Sequence, residues 1–166
     1  MPVNYILEYW NKIQSGEIIV SKNIRQLYQK VIDELEYPKE PYIFDLELAS
    51  RPILFIETFC RNSKGKWAGK PISLLLWQKA MIQVIYGFVN KDTKLRRVRE
   101  VFVITGRKNG KSCITSSLGL FGMIEEQGAD VACVSTKMDA AKIVFNEALN
   151  MVKQSPYLNQ HIRKRK

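Results

Sequence analysis

The chain contains a single histidine, His161, and three cysteines, and this scarcity excludes several kinds of chemistry. Cys60, Cys113 and Cys133 lie far apart and form no CxxC pair, so neither a zinc site nor a disulfide framework is expected. An odd number of cysteines without a secretory signal indicates reduced thiols in a cytoplasm. The N-terminus has no basic segment leading into an apolar stretch, which is untypical of a signal peptide. No apolar run approaches the roughly 18–20 residues that cross a bilayer, so no membrane partner is expected.

Acidic residues are also few compared with basic ones. The 166 residues include 26 Lys and Arg but 16 Asp and Glu, which gives a formal net charge of +10. This excess favours a polyanionic partner, either a nucleic acid or a phosphate compound, although solubility alone is the simpler explanation. The length suits about one domain with a sizeable core.

The first part of the chain is predicted to be helical. Apolar residues recur at three- and four-residue spacing over residues 5–13, before a break at Ser15-Gly16, and again after Ser21, which is predicted to cap a second helix. A third helix is predicted between Phe44 and Cys60, with an interruption near Arg51-Pro52. Further along, the sequence predicts a polar loop over residues 61–73, a helix over residues 74–88 and a turn over residues 90–93.

The pattern changes at Leu95 to an alternation of strands and helices. Residues 98–104 are largely β-branched or aromatic, and residues 130–135 form a short apolar run, so each segment predicts a strand. Helices are predicted over residues 112–126 and 138–153. Ser135-Thr136-Lys137 follow the second strand and are predicted to contact DNA or to support the preceding loop, unless Ser135 or Thr136 only caps the next helix. Helices followed by strand–helix–strand–helix predict a helical segment that leads into an α/β sheet.

The segment between the first of these strands and its helix reads TGRKNGKS. The phosphate-binding loop pattern is G-x-x-x-x-G-K-[ST], and Gly110-Lys111-Ser112 match its end. Thr105 occupies the position of the first glycine, and Gly106 falls one residue late. The match is therefore degenerate, and its context of strand, tight turn and helix carries the prediction.

Physical chemistry favours a phosphate site at this turn. A helix N-terminus presents unpaired N–H groups and the positive end of the helix dipole, both of which suit a phosphate. Gly110 lets the main chain approach an anion, Lys111 would reach the β- and γ-phosphates, and the Ser112 hydroxyl would ligate Mg²⁺. Arg107 and Lys108 add positive charge. The alternative is a basic turn whose helix is capped by Ser112 or Asn109.

The chain resembles the large subunit of tailed-bacteriophage terminase, the DNA-packaging motor. The similarity rests on TGRKNGKS after a strand, on the upstream order of helix, basic loop and L-x-x-W-Q segment (LLLWQ here), and on DVACVSTKMDAAKIVFNEALNMV downstream. It extends over residues 42–156, and the ordered combination is more specific than any single motif.

The resemblance implies ATP and Mg²⁺ as ligands and assigns roles to matching residues. Lys111 and Arg107 would be catalytic, with Arg107 as an arginine finger in cis that stabilises charge on the γ-phosphate oxygens. Structural pairing of Arg107 with a carboxylate is the alternative. Gln78, after Trp77, would read the adenine edge, unless it is an ordinary polar residue on a helix whose tryptophan packs in the core. The implied nucleotide-binding residues are Trp77, Gln78, Gly106, Arg107, Lys108, Asn109, Gly110, Lys111, Ser112 and Cys113, with Ser112 also the metal ligand.

The expected fold is therefore α/β, with an incomplete parallel-sheet core of the P-loop NTPase (ASCE-like) type preceded by a helical N-terminal segment. Residues 1–60 are predicted to form the helical segment and residues 61–166 a partial ATPase core. No apolar run after residues 131–134 ends in Asp-Glu, and no acidic nuclease cluster follows. The sequence thus resembles an N-terminal fragment that binds nucleotide but hydrolyses ATP weakly or not at all.

The resemblance also implies partners and a location. These are double-stranded DNA, the terminase small subunit and the portal, in the cytoplasm of a bacterial host during phage assembly. An apolar sheet edge would in addition favour self-association. Two other interpretations stay open from the sequence: another P-loop or helicase-like ATPase, and a non-catalytic basic module that binds nucleic acid.

Overall fold

The computed structural model describes residues 2–125 and 129–162, which combine helices with a small sheet. The chain divides into two compact units. The first unit comprises Met1–Ile53 and Leu74–Phe102, and the second comprises Leu54–Ser73 and Val103–Lys166. The boundary predicted between residues 60 and 61 separates the helical segment from the ATPase core, and it stays a prediction. None of the helices described is long and apolar enough to cross a membrane.

The elements follow one another along the chain with helices predominating. In order, they are α1 (Tyr5–Gln14), α2 (Lys22–Glu36), β1 (Tyr42–Phe44), α3 (Leu46–Phe59), a 3₁₀ turn (Gly65–Trp67), α4 (Leu76–Gly87), β2 (Phe88–Asn90), α5 (Lys111–Glu125), α6 (Met138–Gln154) and α7 (Pro156–His161). The helices predicted from apolar periodicity are confirmed, although the short α7 was not predicted. The predicted end of α5 at residues 126–128 lies outside the described residues.

The first two helices begin and end where their sequences indicate. The Asn4 side chain accepts a hydrogen bond from the Leu7 N–H, and the Ser21 hydroxyl accepts one from the Ile24 N–H. Gly16 follows α1 with φ of 79°, a conformation that glycine adopts without a steric penalty. The apolar faces of the two helices form the core of the first unit together with residues of α4 and β2. This core consists of Ile6, Tyr9, Trp10, Ile13, Tyr28, Val31, Ile32, Ala80 and Phe88.

A buried glutamine on α4 holds the start of α1 in the first unit. Gln83 is fully buried, and its Oε1 accepts hydrogen bonds from the N–H groups of Tyr5 at 2.7 Å and Ile6 at 3.3 Å. Its Nε2 donates to the Val3 carbonyl at 2.8 Å. Asn4 accepts the next two N–H groups of α1, one with its side chain and one with its carbonyl. The N–H groups of Tyr5, Ile6 and Leu7, which have no intrahelical partner, are therefore all satisfied.

The sheet differs from the predicted one. β1 and β2 pair antiparallel, with Ile43 opposite Val89, and they form the only named sheet among the described residues. The strands predicted over residues 98–104 and 130–135 are not formed in this part of the chain. A parallel strand needs neighbours that complete its hydrogen bonds and cover both faces, and here Phe102, Ile104 and Val134 are 89%, 99% and 88% exposed. The parallel core expected from the sequence is thus absent from the described structure.

The interruption predicted near Arg51-Pro52 was wrong. α3 runs continuously from Leu46 to Phe59 with Pro52 inside it. Proline removes one backbone donor, so the helix loses one hydrogen bond at this point. The Ser50 hydroxyl also donates to the Leu46 carbonyl at 2.7 Å, and Pro52 itself is fully buried. The burial of this segment therefore outweighs the local preference for a break.

The second unit is built on the close packing of α5 against α6. Small residues on α5 permit this approach: the buried Ser116 hydroxyl donates to the Val144 carbonyl at 2.8 Å, and the Ser117 hydroxyl lies 3.5 Å from the Met151 sulfur. The aromatic rings of Phe55 and Phe121 pack with their centroids 5.6 Å apart. Ser155 follows the end of α6 and its hydroxyl caps α7, which begins at Pro156. This packing fixes α5, whose N-terminus carries the predicted phosphate loop.

Candidate functional site

The predicted phosphate loop forms a bend that leads directly into α5. Residues 107–110 form turns and bends, and α5 begins at Lys111. Lys108 and Gly110 have φ values of 66° and 74°. For lysine this backbone conformation is uncommon, whereas glycine adopts it readily. Two left-handed residues so close together reverse the main chain sharply before the helix.

The Lys111 side chain folds back over this bend. Its Nζ donates to the carbonyl oxygens of Thr105 and Gly106, both at 2.9 Å, and so joins the two ends of the loop. A Cβ at Gly106 would lie 3.3 Å from the Asn109 side-chain nitrogen, which indicates close packing across the bend. Carbonyl oxygens are neutral acceptors, so an anionic phosphate oxygen would be a stronger partner for this ammonium group.

The first N–H groups of α5 precede its first intrahelical hydrogen bond. The first intrahelical hydrogen bond described runs from the Ile114 N–H to the Gly110 carbonyl at 2.9 Å. The N–H groups of Lys111, Ser112 and Cys113 precede it, and N–H groups at this position of a helix have no intrahelical acceptor. Together with the helix dipole, they form an environment suited to an anion.

Positive charge in the loop is not compensated by nearby carboxylates. Within the described residues, no carboxylate oxygen lies within 4.0 Å of the basic nitrogens of Arg107, Lys108 or Lys111, and all three residues are exposed. The alternative in which Arg107 pairs with a carboxylate therefore has no support from this part of the chain. Three cations within five residues, next to a helix N-terminus, fit a polyphosphate.

The residues also fit a magnesium ion that is bound mainly by phosphates. No group of three or more His, Cys, Asp or Glu side chains suited to a metal occurs among the described residues. Mg²⁺ keeps several waters and takes one or two protein ligands when phosphates supply the others. The Ser112 hydroxyl, in the first turn of α5, could serve as such a protein ligand for Mg²⁺.

Trp77 and Gln78 belong to the first unit, whereas the loop belongs to the second. Gln78 is buried, and its Oε1 accepts a hydrogen bond from the Leu75 N–H at 2.9 Å, which caps the start of α4. Trp77 is partly buried and packs against the core of that unit. This geometry agrees with the structural alternative for the pair, and adenine recognition by Gln78 stays a prediction.

Two other basic or polar segments have structural roles. The Arg97 guanidinium donates to Glu34 at 2.6 Å and lies over the Phe88 ring, and Arg96 lies over Tyr86. The hydrogen bond from Arg97 lowers the pKa of the Glu34 carboxyl. Helix α6 takes Lys137 as its N-cap residue, without a side-chain hydrogen bond, so the predicted cap by Ser135 or Thr136 was wrong. The helix itself begins at Met138, as predicted.

The three thiols differ in burial: Cys60 is buried and Cys113, next to the loop, is partly buried. Burial raises the pKa of Cys113 to about 11, and it raises the pKa of Cys60 to about 11 as well. Both thiols interact with the Ser117 hydroxyl, which favours the thiolate but does not offset the loss of water. Cys133 is exposed.

The difference in burial among the three cysteines predicts that their thiols react at different rates. At about pH 8 the thiolate is the reacting form, so Cys60 and Cys113 should stay protonated and unreactive while Cys133 reacts rapidly with Ellman's reagent. The measurement is the number of thiols released in the fast phase, with Cys133→Ser as the matched control that should remove it. A fast phase that persists in Cys133→Ser would contradict the assigned burial. Raising the pH toward 11 should speed the reaction of the other two thiols.

One exposed feature, a tryptophan with lysines around it, was not identified from the sequence. Trp67, in the loop at residues 61–73, is 53% exposed and has two lysine side chains against its ring. The available signal was the segment KGKWAGK, in which an aromatic residue is interspersed with lysines and glycines. Sequence reasoning treated this segment only as a basic loop.

Comparison with known proteins identifies relatives of this chain. The sequence model of the family described as "Terminase large subunit, ATPase domain" matches residues 76–166, which include the loop and α5. The curated protein "Terminase, large subunit" of Enterobacteria phage HK97 is 32% identical over 113 residues. That alignment covers 66% of this chain and 21% of the phage protein, so the chain spans about a fifth of the length of this relative. No solved structure matches significantly.

Proposed function

The chain belongs to the family of terminase large subunit ATPase domains, and from this we propose that it is the ATP-binding part of a motor that packages viral DNA. The observation that carries the proposal is the bend at residues 105–112, where the Lys111 ammonium group closes over a cationic loop at the head of α5. This loop lies inside the family match. The helicase-like and non-catalytic alternatives have no comparable support.

Each loop residue would have a defined task with Mg²⁺·ATP bound. Lys111 would exchange its two carbonyl partners for oxygens of the β- and γ-phosphates, and Ser112 would contribute its hydroxyl to the metal. Main-chain N–H groups from Gly106 to Cys113 would surround the phosphates. Arg107 would stabilise negative charge on the γ-phosphate during its transfer. The bound metal would neutralise charge on the same phosphates.

The adenine is assigned to residues at the start of α4. We propose that Gln78 offers its amide to the base while Trp77 holds the start of α4 in the core. The Gln78 amide carries one acceptor and two donors, so this type of side chain can both donate to and accept from the adenine edge. Residues 61–166 would then be a partial ATPase core, and residues 1–60 a helical segment that precedes it.

The parallel sheet is proposed for the complete ATPase domain. The apolar residues 101–104 and 131–134 are exposed in the described structure, as expected of strands whose neighbours are not in place. The partners would be double-stranded DNA, the terminase small subunit, the portal and further copies of the chain, in the host cytoplasm. These partners follow from the family alone.

Binding of a fluorescent ATP analogue in the presence of Mg²⁺ tests the proposed function. The chain should bind the analogue saturably, and unlabelled ATP and ADP should displace it, whereas adenosine should displace it poorly because the loop recognises phosphates. Removal of Mg²⁺ should weaken binding. Absence of saturable binding by the folded chain would refute the proposal.

Hydrolysis by the 166-residue chain alone should not exceed the uncatalysed rate. After residues 131–134 the sequence has no apolar run that ends in Asp-Glu, the motif whose glutamate would activate the attacking water. Phosphate release, measured colorimetrically with and without duplex DNA, should equal that of a protein-free control. Robust turnover that disappears in Lys111→Ala would contradict this expectation.

A further inference from the structure

The segment Arg61–Ser73, here called the tryptophan loop, is a structured element of the second unit. An antiparallel β-bridge between Arg61 and Pro71 joins its two ends. In addition, the Asn62 N–H donates to the Lys70 carbonyl at 2.9 Å, and the Gly69 N–H donates to the Asn62 carbonyl at 2.8 Å. The Asn62 side-chain amide donates to the Lys70 and Pro71 carbonyls, both at 3.1 Å. This side chain therefore holds the base of the loop closed.

Helix α6 anchors the loop. The Ser63 hydroxyl donates to the Glu147 carboxylate, and the Gln154 side chain donates to the Ser63 carbonyl at 3.1 Å. Lys64 Nζ lies 3.5 Å from the other Glu147 oxygen. These contacts fix the first residues of the loop to a packed helix, so residues at its tip are presented from a rigid base.

An exposed indole holds two ammonium groups at the tip. The Nζ atoms of Lys66 and Lys70 lie 5.2 Å and 4.9 Å from the centre of the Trp67 ring, within the range of a cation–π interaction. The Trp67 ring is 53% exposed and both lysines are exposed, so the two ammonium groups are open to a partner in solution. The ring brings two like charges together at one exposed site.

These two charges lack carboxylate partners. The tryptophan loop has no Asp or Glu, and the nearest paired cation, Lys64, uses Glu147. Across residues 2–125 and 129–162, no ion pair involves Lys66 or Lys70. Arg61 is different, because it donates to the Thr58 and Cys60 carbonyls. A polyanion would relieve the repulsion between Lys66 and Lys70 without displacing any internal contact.

We propose that the tryptophan loop binds the phosphate backbone of duplex DNA, with Lys66 and Lys70 each contacting a phosphate and Trp67 holding them in place. The choice of DNA as the polyanion rests on the proposed packaging function. Phosphate contacts position a protein on DNA without reading its sequence, which suits a protein that translocates along DNA of any sequence. Trp67 is here a positioning residue for the two lysines.

The test is the salt dependence of binding to a labelled duplex of mixed sequence, followed by fluorescence anisotropy. Each phosphate contact contributes about 0.9 to the slope of log affinity against log salt, so Lys66→Gln with Lys70→Gln should reduce the slope by about 1.8 and the affinity about tenfold. Trp67→Ala should weaken binding, and Trp67→Phe should retain most of it, because phenylalanine still offers a π-face to the lysines.

The matched control is Lys22→Gln with Lys30→Gln on the exposed surface of α2. This double variant removes the same net charge from two lysines that are also exposed. Its slope of log affinity against log salt should stay close to that of the wild type. Equal effects of the two double variants would overturn the proposal, because net charge alone would then explain binding. Absence of duplex binding by the wild type would overturn it too. Tighter binding to a single strand than to the duplex, lost in Trp67→Ala and retained in Trp67→Phe, would assign base stacking in place of phosphate binding.

Nucleotide binding separates this proposal from the proposed function. The loop variants should bind the fluorescent ATP analogue as the wild type does. If the wild type binds no nucleotide while duplex binding still depends on Lys66 and Lys70, the ATP-binding proposal fails and the loop proposal stands. If nucleotide binds but the loop variants bind duplex normally, only the loop proposal fails.

Discussion

Lys111→Ala is expected to reduce the affinity for the Mg²⁺·ATP analogue about 100-fold, which corresponds to about 2.7 kcal/mol. The ammonium group is already held over the loop by the carbonyls of Thr105 and Gly106, so its contacts with phosphates need little reorganisation. Loss of a charge-assisted hydrogen bond to a phosphate is more costly than loss of a neutral one. Isothermal titration or fluorescence titration measures the change.

Lys153→Ala is the control for this substitution. Lys153 is an exposed lysine near the end of α6 in the same unit, and its removal should leave the affinity unchanged. Because Lys111 is exposed, Lys111→Ala should also leave the urea unfolding midpoint close to that of the wild type. Equal nucleotide affinity in Lys111→Ala and the wild type would exclude the role assigned to this side chain.

Gln83→Met is expected to lower the free energy of unfolding of the first unit by about 2–4 kcal/mol. Methionine has a similar length but leaves the N–H groups of Tyr5 and Ile6 and the carbonyl of Val3 without their partners. Buried backbone groups without partners pay the full cost of desolvation. Urea denaturation followed by circular dichroism measures the loss.

Hydrogen exchange distinguishes this mechanism from general loss of packing. The amide protons of Tyr5 and Ile6 should exchange faster in Gln83→Met than in the wild type, because their acceptor is gone. Gln14→Met, at an exposed position on α1, is the control and should change stability by less than about 0.5 kcal/mol. A Gln83→Met variant as stable as Gln14→Met would show that the buried amide is dispensable.

Helices of this chain are predictable because the signal that forms them is local. Asn4 and Ser21 lie where side-chain caps are needed, and the apolar spacing that follows identifies the buried face of each helix. The bend before α5 was also predictable from Gly110-Lys111-Ser112 at a helix start. The left-handed backbone conformation of Lys108 was not predictable, because lysine has no preference for that conformation.

Strands depend on partners that are remote in the sequence. Residues 98–104 have strong strand propensity but no ladder among the described residues, whereas Tyr42–Phe44 forms one through pairing with Phe88–Asn90. β-propensity describes a fit to a partly buried sheet surface, so it predicts nothing where that surface is missing. Gln83 was missed for the same reason, since its partners at the start of α1 lie almost 80 residues away.

The position of the bound phosphates is measured most directly by amide NMR of the chain during titration with Mg²⁺ and a non-hydrolysable ATP analogue. If the bend encloses the phosphates, the backbone N–H resonances of Gly110, Lys111 and Ser112 will move furthest, and those of α2 will not move. Saturation with the analogue while these three resonances stay in place would contradict the account.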